Sequence, residues 1–164
     1  MNTYSWFALQ VRAGGEGLVE SSLRGKDYET FLPTYPEYRR YSDRLKKFEA
    51  ALFPGYIFCR FNPDRRLPIL MTAGVHHIVS LDDRPTPVPE DEIQAVRRLV
   101  SATDRLRPWP YLKVGARVRV EFGAFSGIEG ILLSEKGHDR LVVSVILLQR
   151  SVAVEINRTW LRAI

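Results

Sequence analysis

Cysteine is nearly absent from this chain, since Cys59 is the only one among 164 residues. A single thiol excludes an intrachain disulfide and a cysteine-rich metal site, and it favours a reducing, cytoplasmic setting. No run reaches the roughly 18 apolar residues of a membrane-spanning helix. The first ten residues also lack the basic and then apolar layout of a signal peptide. We therefore expect a cytoplasmic protein with no membrane partner.

Histidine is scarce as well, and the motifs of common catalytic sites are missing. His76 and His77 are neighbours in a predicted strand, so their side chains point to opposite faces and cannot easily bind one ion. The sequence contains no G-x-S-x-G, no HExxH and no phosphate-binding loop with its lysine. The acids of residues 90–92 fall in the first turn of a predicted helix. There the partial positive charge of the helix N-terminus favours acidic side chains, so they need no catalytic role. We expect no enzyme, no metal and no cofactor.

Positive charge is present in excess, and the excess is local. The formal net charge is +5, and residues 39–47 alone hold five Arg or Lys and one Asp. Such a run usually marks a solvated surface, here the tip of a hairpin or a loose loop. It also permits contact with the phosphates of a nucleic acid.

The first hundred residues alternate between short apolar runs and helical spacing. Strands are predicted at 4–11, 29–36, 54–61 and 75–81, and helices at 16–26, within 62–74 and from 89 to 100. We expect the prolines of residues 33–36 to end the second strand. This mixture predicts an α+β fold, in which an N-terminal sandwich packs helices against an antiparallel sheet.

The pattern changes after Val100. Residues 103–112 have few periodic apolar positions and two prolines, which is typical of a linker. Four or five short strands follow, separated by turns at 123–127, 137–139 and 149–150, and together they predict a small β barrel. The predicted domains are therefore 1–102 and 113–164, joined by the linker 103–112.

The segment LFPGYIFCRF, residues 52–61, combines a stiff turn with a strand. Alternation places two sets of side chains on opposite faces: Tyr56, Phe58 and Arg60 on one, and Ile57, Cys59 and Phe61 on the other. Both sets are largely apolar, which predicts a central strand covered on both faces. We expect the Pro-Gly turn to lift Phe53 and Tyr56 to the rim of the sheet.

A family resemblance is carried by both halves of the chain. VGARVRVEFGAFSGIEGILL, residues 114–133, resembles the KOW motif of small SH3-like barrels. There Gly123 and Gly127 permit positive φ angles, and Gly130 permits a close backbone approach. WFALQV, FLPTY, LFPGYIFCRF, VHHIVSL and PTPVPEDEI also occur in the order of the NusG N-terminal domain. The chain thus resembles the NusG family of transcription elongation factors over nearly its whole length.

The resemblance implies a monomeric binding protein that docks on the clamp helices of bacterial RNA polymerase and suppresses pausing and termination. Positions carried over as polymerase contacts are Phe7, Phe53, Pro54, Tyr56, His76 and His77. The basic run is implied to approach upstream or non-template DNA through Arg39, Arg40, Arg44, Lys46 and Lys47. Phosphate contacts would favour that approach.

In the same family, the KOW barrel recruits the terminator Rho or a small-subunit ribosomal protein. The matching positions are Phe125, Ile128, Leu148 and Arg150, of which Phe125 and Ile128 either contact the partner or pack in the core. The short basic segment and the absence of an acidic tail favour a specialised paralogue, similar to RfaH or polysaccharide-operon antiterminators.

Two alternatives stay open. One is a housekeeping NusG that couples to Rho or the ribosome. The other is a KOW protein that binds ribosomal RNA, although residues 113–164 balance eight Arg or Lys against five acids, which is too even for a strong RNA footprint.

Overall fold

The computed structural model describes residues 4–164, which divide into two compact units. The first unit combines the chain up to Pro33 with Phe53–Glu90, and the second combines Thr34–Leu52 with Asp91–Ile164. The strands are β1 Trp6–Val11, β2 Glu29–Phe31, β3 Thr34–Arg40, β4 Leu45–Ala51, β5 Tyr56–Arg60, β6 Val75–Ile78, β7 Arg107–Trp109, β8 Ala116–Val120, β9 Glu129–Glu135, β10 His138–Val145, β11 Arg150–Glu155 and β12 Leu161–Ala163. The α-helices are α1 Glu16–Gly25, α2 Leu67–Leu70 and α3 Glu90–Ala102, and short 3₁₀ turns cover Pro63–Arg65, Ile146–Leu148 and Arg158–Trp160.

The first unit is built on a four-stranded antiparallel sheet in the order β2-β5-β1-β6. Its central strands β1 and β5 are buried on both faces, as their apolar sequences predict. On one face, Leu9 and Ile57 lie in a cluster with Val19 and Leu23 of α1 and with Ile69 of α2. Fold class and central strand are therefore as expected from the sequence.

The opposite face of this sheet carries an aromatic cluster. The ring of Phe58 stacks on Phe31 with centroids 6.0 Å apart, and Phe53 meets it edge-on at 5.7 Å. Trp6 contacts Phe31 at 6.5 Å and lies 4.8 Å from the guanidinium of Arg60. The alternation predicted for residues 56–61 is thus confirmed, because Phe58 and Ile57 lie in different clusters.

The predicted strand 29–36 is wrong in its continuity. Glu29–Phe31 pairs with β5, whereas Thr34–Arg40 pairs with Leu45–Ala51 in a separate two-stranded sheet. Pro36 lies inside β3 and does not end it. A proline is tolerated there because both strands of a two-stranded hairpin are edge strands, on which one side needs no ladder hydrogen bond. The predicted strand 75–81 also ends early, at Ile78.

Within the second unit, β3 and β4 form a long hairpin that contains the basic run. The ladder is continuous from Thr34, which faces Ala51, to Arg40, which faces Leu45. The amide of Tyr41 donates to the carbonyl of Arg44 at 2.8 Å and closes the tip. Of the two predicted forms for this segment, hairpin tip or loose loop, the structure has the hairpin.

The rest of the second unit consists of α3 and an antiparallel sheet in the order β12-β8-β9-β10-β11-β7. Helix α3 buries Ile93, Val96 and Leu99, whose spacing is that of one apolar helix face, and Val100 beside them is half-buried. Strand β7 falls inside the predicted linker and pairs with Ser151–Ala153 of β11. The tight turn between β9 and β10 uses Lys136 and Gly137, both at positive φ, one residue earlier than expected.

The glycines of the KOW-like segment behave as predicted. Gly123 and Gly127 have φ angles of 84° and 91°, which side-chain-bearing residues rarely adopt. A Cβ on Gly130 would lie 2.5 Å from the carbonyl oxygen of Val142, so this position requires the smallest residue. These glycines therefore fix the bends and the strand spacing of the sheet.

No helix within residues 4–164 combines the length and the apolarity needed to cross a membrane.

Candidate functional site

The turn at residues 53–56 stands at one end of the first unit's sheet. The amide of Tyr56 donates to the carbonyl of Phe53 at 3.0 Å, and Gly55 has a φ angle of 85°. Pro54 is exposed, and Tyr56 is half-buried at the start of β5. Proline restricts one φ angle of this turn and glycine supplies the positive φ that it requires, and the turn presents Pro54 to solvent.

Glu16 anchors this turn from helix α1. One carboxylate oxygen accepts the amide of Gly55 at 3.0 Å, and the other accepts the amide of Gly14 at 2.7 Å. The Glu16 side chain is only 7% exposed, so its carboxylate is largely removed from water. Sequence reasoning missed this role, because Glu16 falls on the polar side of the helical pattern and its partner lies 39 residues away.

Strand β1 connects the turn to the predicted histidine positions. Gln10 is the register partner of Tyr56 on β5 and of His77 on β6. Directly opposed residues of neighbouring strands share a face, so Tyr56, Gln10 and His77 form one row across three strands. We call these three residues the docking row. His76 is also exposed, but as the neighbour of His77 it points to the other face.

Two predicted contact residues lie in the interior. The expectation that the turn lifts Phe53 to the rim is wrong, because its ring is 2% exposed and packs edge-on against Phe58. Phe7 is equally buried, with its ring 4.8 Å from Phe61 on the helix-covered face. Burying a phenylalanine side chain stabilises the fold by about 1.5–3 kcal/mol relative to leaving it in water. The ring of Phe53 therefore packs in the core although the chain turns beside it.

The basic hairpin keeps all five predicted cations exposed. Arg39 lies over the ring of Phe48, with its guanidinium 4.3 Å from the ring centroid. Within residues 4–164, none of the five forms an ion pair with a carboxylate. Their charge is therefore available to an external anion.

Only part of the predicted partner surface of the C-terminal sheet is accessible. Ile128 and Leu148 are buried, so they serve the core. Phe125 is half-buried, and Arg150 is exposed while its guanidinium donates to the carbonyls of Leu148 and Gln149. Phe125 and Arg150 remain as surface candidates.

Cys59 lies buried in the core of the first unit. Burial raises the pKa of the Cys59 thiol to about 12, with a smaller contribution from the charge of Glu29, so the side chain stays a neutral thiol at neutral pH. Among residues 4–164, no group of three or more His, Cys, Asp or Glu side chains is placed to hold a metal ion.

Comparison with known families decides the assignment. The family described as transcription termination factor nusG matches residues 4–97, more than half of the chain. The chain belongs to the NusG family. Transcription termination/antitermination protein NusG of Escherichia coli K12 is 29% identical over 93% of this chain and 92% of its own length. NusG of Lactococcus lactis is 30% identical over 93% of this chain and 89% of its own length.

A solved structure of Thermotoga maritima NusG has the same fold. It covers 99% of this chain and 98% of its own, with a TM-score of 0.60 at 20% identity. The family resemblance and the α+β fold class expected from the sequence are both confirmed. This NusG-family chain therefore belongs among transcription termination/antitermination factors, and its relatives are transcription factors and not enzymes.

Proposed function

We propose that this NusG-family protein is a non-catalytic transcription elongation regulator of the bacterial cytoplasm. It binds the clamp helices of RNA polymerase through the docking row and Pro54, and it suppresses pausing and termination. Its basic hairpin approaches upstream or non-template DNA, and Phe125 and Arg150 of its C-terminal sheet contact Rho, a small-subunit ribosomal protein or another protein partner.

One observation supports the proposed polymerase-binding surface. Tyr56, Gln10 and His77 form a row across three antiparallel strands and stand beside a turn that Glu16 holds in place. Two of the residues that the family resemblance implies, Tyr56 and His77, are thereby brought together on one face. A rigid surface loses little conformational entropy on binding, which favours its use as a docking site.

The proposed mechanism is a shift in populations. A regulator that contacts the closed clamp better than the open clamp stabilises the closed state by its difference in binding free energy. A difference of about 1.4 kcal/mol changes the ratio of closed to open polymerase tenfold. No chemical step on the part of the regulator is required.

The five exposed cations favour a specialised paralogue over a housekeeping NusG. They are concentrated on one hairpin and have no carboxylate partner within residues 4–164, so they are suited to contact nucleic-acid phosphates. A housekeeping role would instead depend on the C-terminal sheet, where two of four predicted contact residues are buried.

Binding to nucleic-acid-free core RNA polymerase tests the proposal. We expect the Tyr56→Ala variant to bind at least about 30-fold more weakly than wild type, because a central tyrosine of an interface commonly contributes 2 kcal/mol or more. Affinity is measured by biolayer interferometry with immobilised full-length chain.

Tyr41→Ala is the matched control, since Tyr41 is exposed and lies on the hairpin tip. It should bind core polymerase as wild type does. Failure of the wild-type chain to bind core polymerase contradicts the proposal, and equal affinities for Tyr56→Ala and Tyr41→Ala contradict the assignment of the docking row.

A further inference from the structure

The basic hairpin presents aromatic and aliphatic side chains that phosphate contact does not explain. Tyr38 is 56% exposed and Leu45 is 64% exposed. In the ladder, Tyr38 faces Lys47 and Arg40 faces Leu45. Because cross-strand partners and residues two apart share a face, these four side chains form one surface. We call Tyr38, Arg40, Leu45 and Lys47 the Tyr38 face.

The opposite face of the hairpin is partly satisfied by its own contacts. There the guanidinium of Arg39 covers the ring of Phe48, so this cation and this ring already interact with each other. Glu49 lies two residues from Lys47 and so shares the Tyr38 face, and its carboxylate accepts the hydroxyl of Thr34 at 3.1 Å. The Tyr38 ring is exposed, and neither Arg40 nor Lys47 forms an ion pair within residues 4–164, so this face is accessible to a ligand.

We propose that the Tyr38 face binds single-stranded nucleic acid, with an unpaired base stacked on the Tyr38 ring and the backbone phosphates held by Arg40 and Lys47. This inference rests on the proposed function, in which the hairpin approaches DNA. It adds that the bound nucleic acid is single-stranded.

The chemistry of the face selects unpaired strands. Surfaces that bind single strands combine cations along the backbone with aromatic rings on which bases stack, since every base has a π-face. In a duplex the bases are already stacked on their neighbours and present only their edges. An exposed ring between two cations thus gains a stacking contact from an unpaired base, whereas a duplex offers it only phosphates.

Fluorescence anisotropy on the full chain tests the stacking contact. The probes are an oligothymidylate, an oligouridylate of the same length and a mixed-sequence DNA duplex. We expect wild type to prefer single strands to the duplex, and Tyr38→Leu to weaken single-strand binding about 5- to 150-fold, the loss of one stacked base. Tyr38→Phe should retain wild-type affinity because it keeps the ring.

Tyr41→Leu is the matched control on the same hairpin. Tyr41 is three residues from Tyr38 and therefore lies on the opposite face, so its replacement should leave single-strand affinity unchanged. Thermal unfolding of each variant checks that the hairpin substitutions leave the fold intact.

Salt dependence tests the phosphate contacts separately. Each phosphate contact to a single strand contributes about 0.7 to the slope of log affinity against log salt. The double variant Arg40→Gln with Lys47→Gln should lower that slope by about 1.4. Lys136→Gln, in the turn between β9 and β10, should leave the slope unchanged.

The remaining outcomes separate this inference from the proposed function. Unchanged single-strand affinity of Tyr38→Leu, an equal loss on the duplex, or an equal loss in Tyr41→Leu overturns the inference. So does a Tyr38→Leu variant that loses core polymerase while keeping its affinity for the oligonucleotides, because the face is then a protein contact. Polymerase binding without any single-strand binding overturns the inference alone, and single-strand binding without polymerase binding overturns the proposed function.

A preference between the two single-stranded probes identifies the source of the ligand. Tighter binding of oligothymidylate supports displaced DNA, and tighter binding of oligouridylate supports a transcript. Either result, with the loss in Tyr38→Leu, supports the stacking contact.

Discussion

At the scale of single residues, the turn at 53–56 separates two aromatic side chains that look equivalent in the sequence. Phe53 turns inward to Phe58, whereas Tyr56 lies half-buried in the docking row with Gln10 and His77. The hydroxyl of tyrosine favours a site with access to water, and phenylalanine has no polar group to hydrate. Polarity thus assigns one ring to the core and the other to the surface.

The burial of Phe53 predicts a stability defect. Phe53→Ala should lower the free energy of unfolding of the first unit by about 3–5 kcal/mol, the cost of truncating a buried ring and leaving a cavity. Urea unfolding followed by tryptophan fluorescence measures the loss. Leu18→Ala is the control in the same unit, because Leu18 is 78% exposed and its truncation should change stability by less than about 0.5 kcal/mol. Equal losses of unfolding free energy in the two variants would contradict the burial of Phe53.

At the scale of the element, close approach of two strands fixes the identity of Gly130. The backbone of Val142 on β10 occupies the space in which a side chain on β9 would begin. Strand backbones cannot yield as the end of a flexible side chain can, because each is held by its ladder of hydrogen bonds. The glycine is therefore a packing requirement of the sheet.

Gly130→Ala should destabilise the second unit by about 1–3 kcal/mol, the usual cost of overpacking. Gly17→Ala in α1 is the control, since it also lacks a positive φ and no atom lies within 4 Å of its added Cβ. That substitution should stabilise its unit by about 0.5–1 kcal/mol through helix propensity. Thermal unfolding followed by circular dichroism compares the two, and a neutral Gly130→Ala would contradict the packing argument.

At the scale of the whole molecule, the C-terminal sheet extends into the segment predicted as a linker. Strand β7 adds three residues to the edge of β11, and the Trp109 ring lies 4.7 Å from the guanidinium of Arg140. The amide of Leu112 also donates to the buried hydroxyl of Ser151 at 3.1 Å. A domain that begins at residue 113 leaves these contacts out.

A fragment of residues 104–164 should therefore unfold at a higher temperature than one of residues 113–164. Loss of β7 and of the Leu112 bond costs about 1–3 kcal/mol, or roughly 5–15 °C in a domain of this size. Differential scanning calorimetry on both fragments measures the difference. Trp109→Ala in the longer fragment should remove part of the gain. Equal unfolding midpoints of the two fragments would support a domain that begins at residue 113.

Features that depend on local pattern were predictable from the amino-acid sequence. The stripe of α3, the two-faced burial of β5 and the glycines at 123 and 127 follow from periodicity and from backbone angles that few residues tolerate. The order of motifs in both halves was also enough to indicate the NusG family, because each motif records a local requirement of the fold.

Features that depend on partners distant in the chain were not predictable, because they arise only when the chain folds. Glu16 binds the amide of Gly55, 39 residues away in the chain. Gln10 pairs with both Tyr56 and His77, and strand β7 pairs with β11. Which cations share a face with Tyr38 likewise depended on strand register, since a shift of one residue exchanges the two faces of a strand. The sequence supplied the side chains of the candidate site, and long-range pairing determined which of them share a surface.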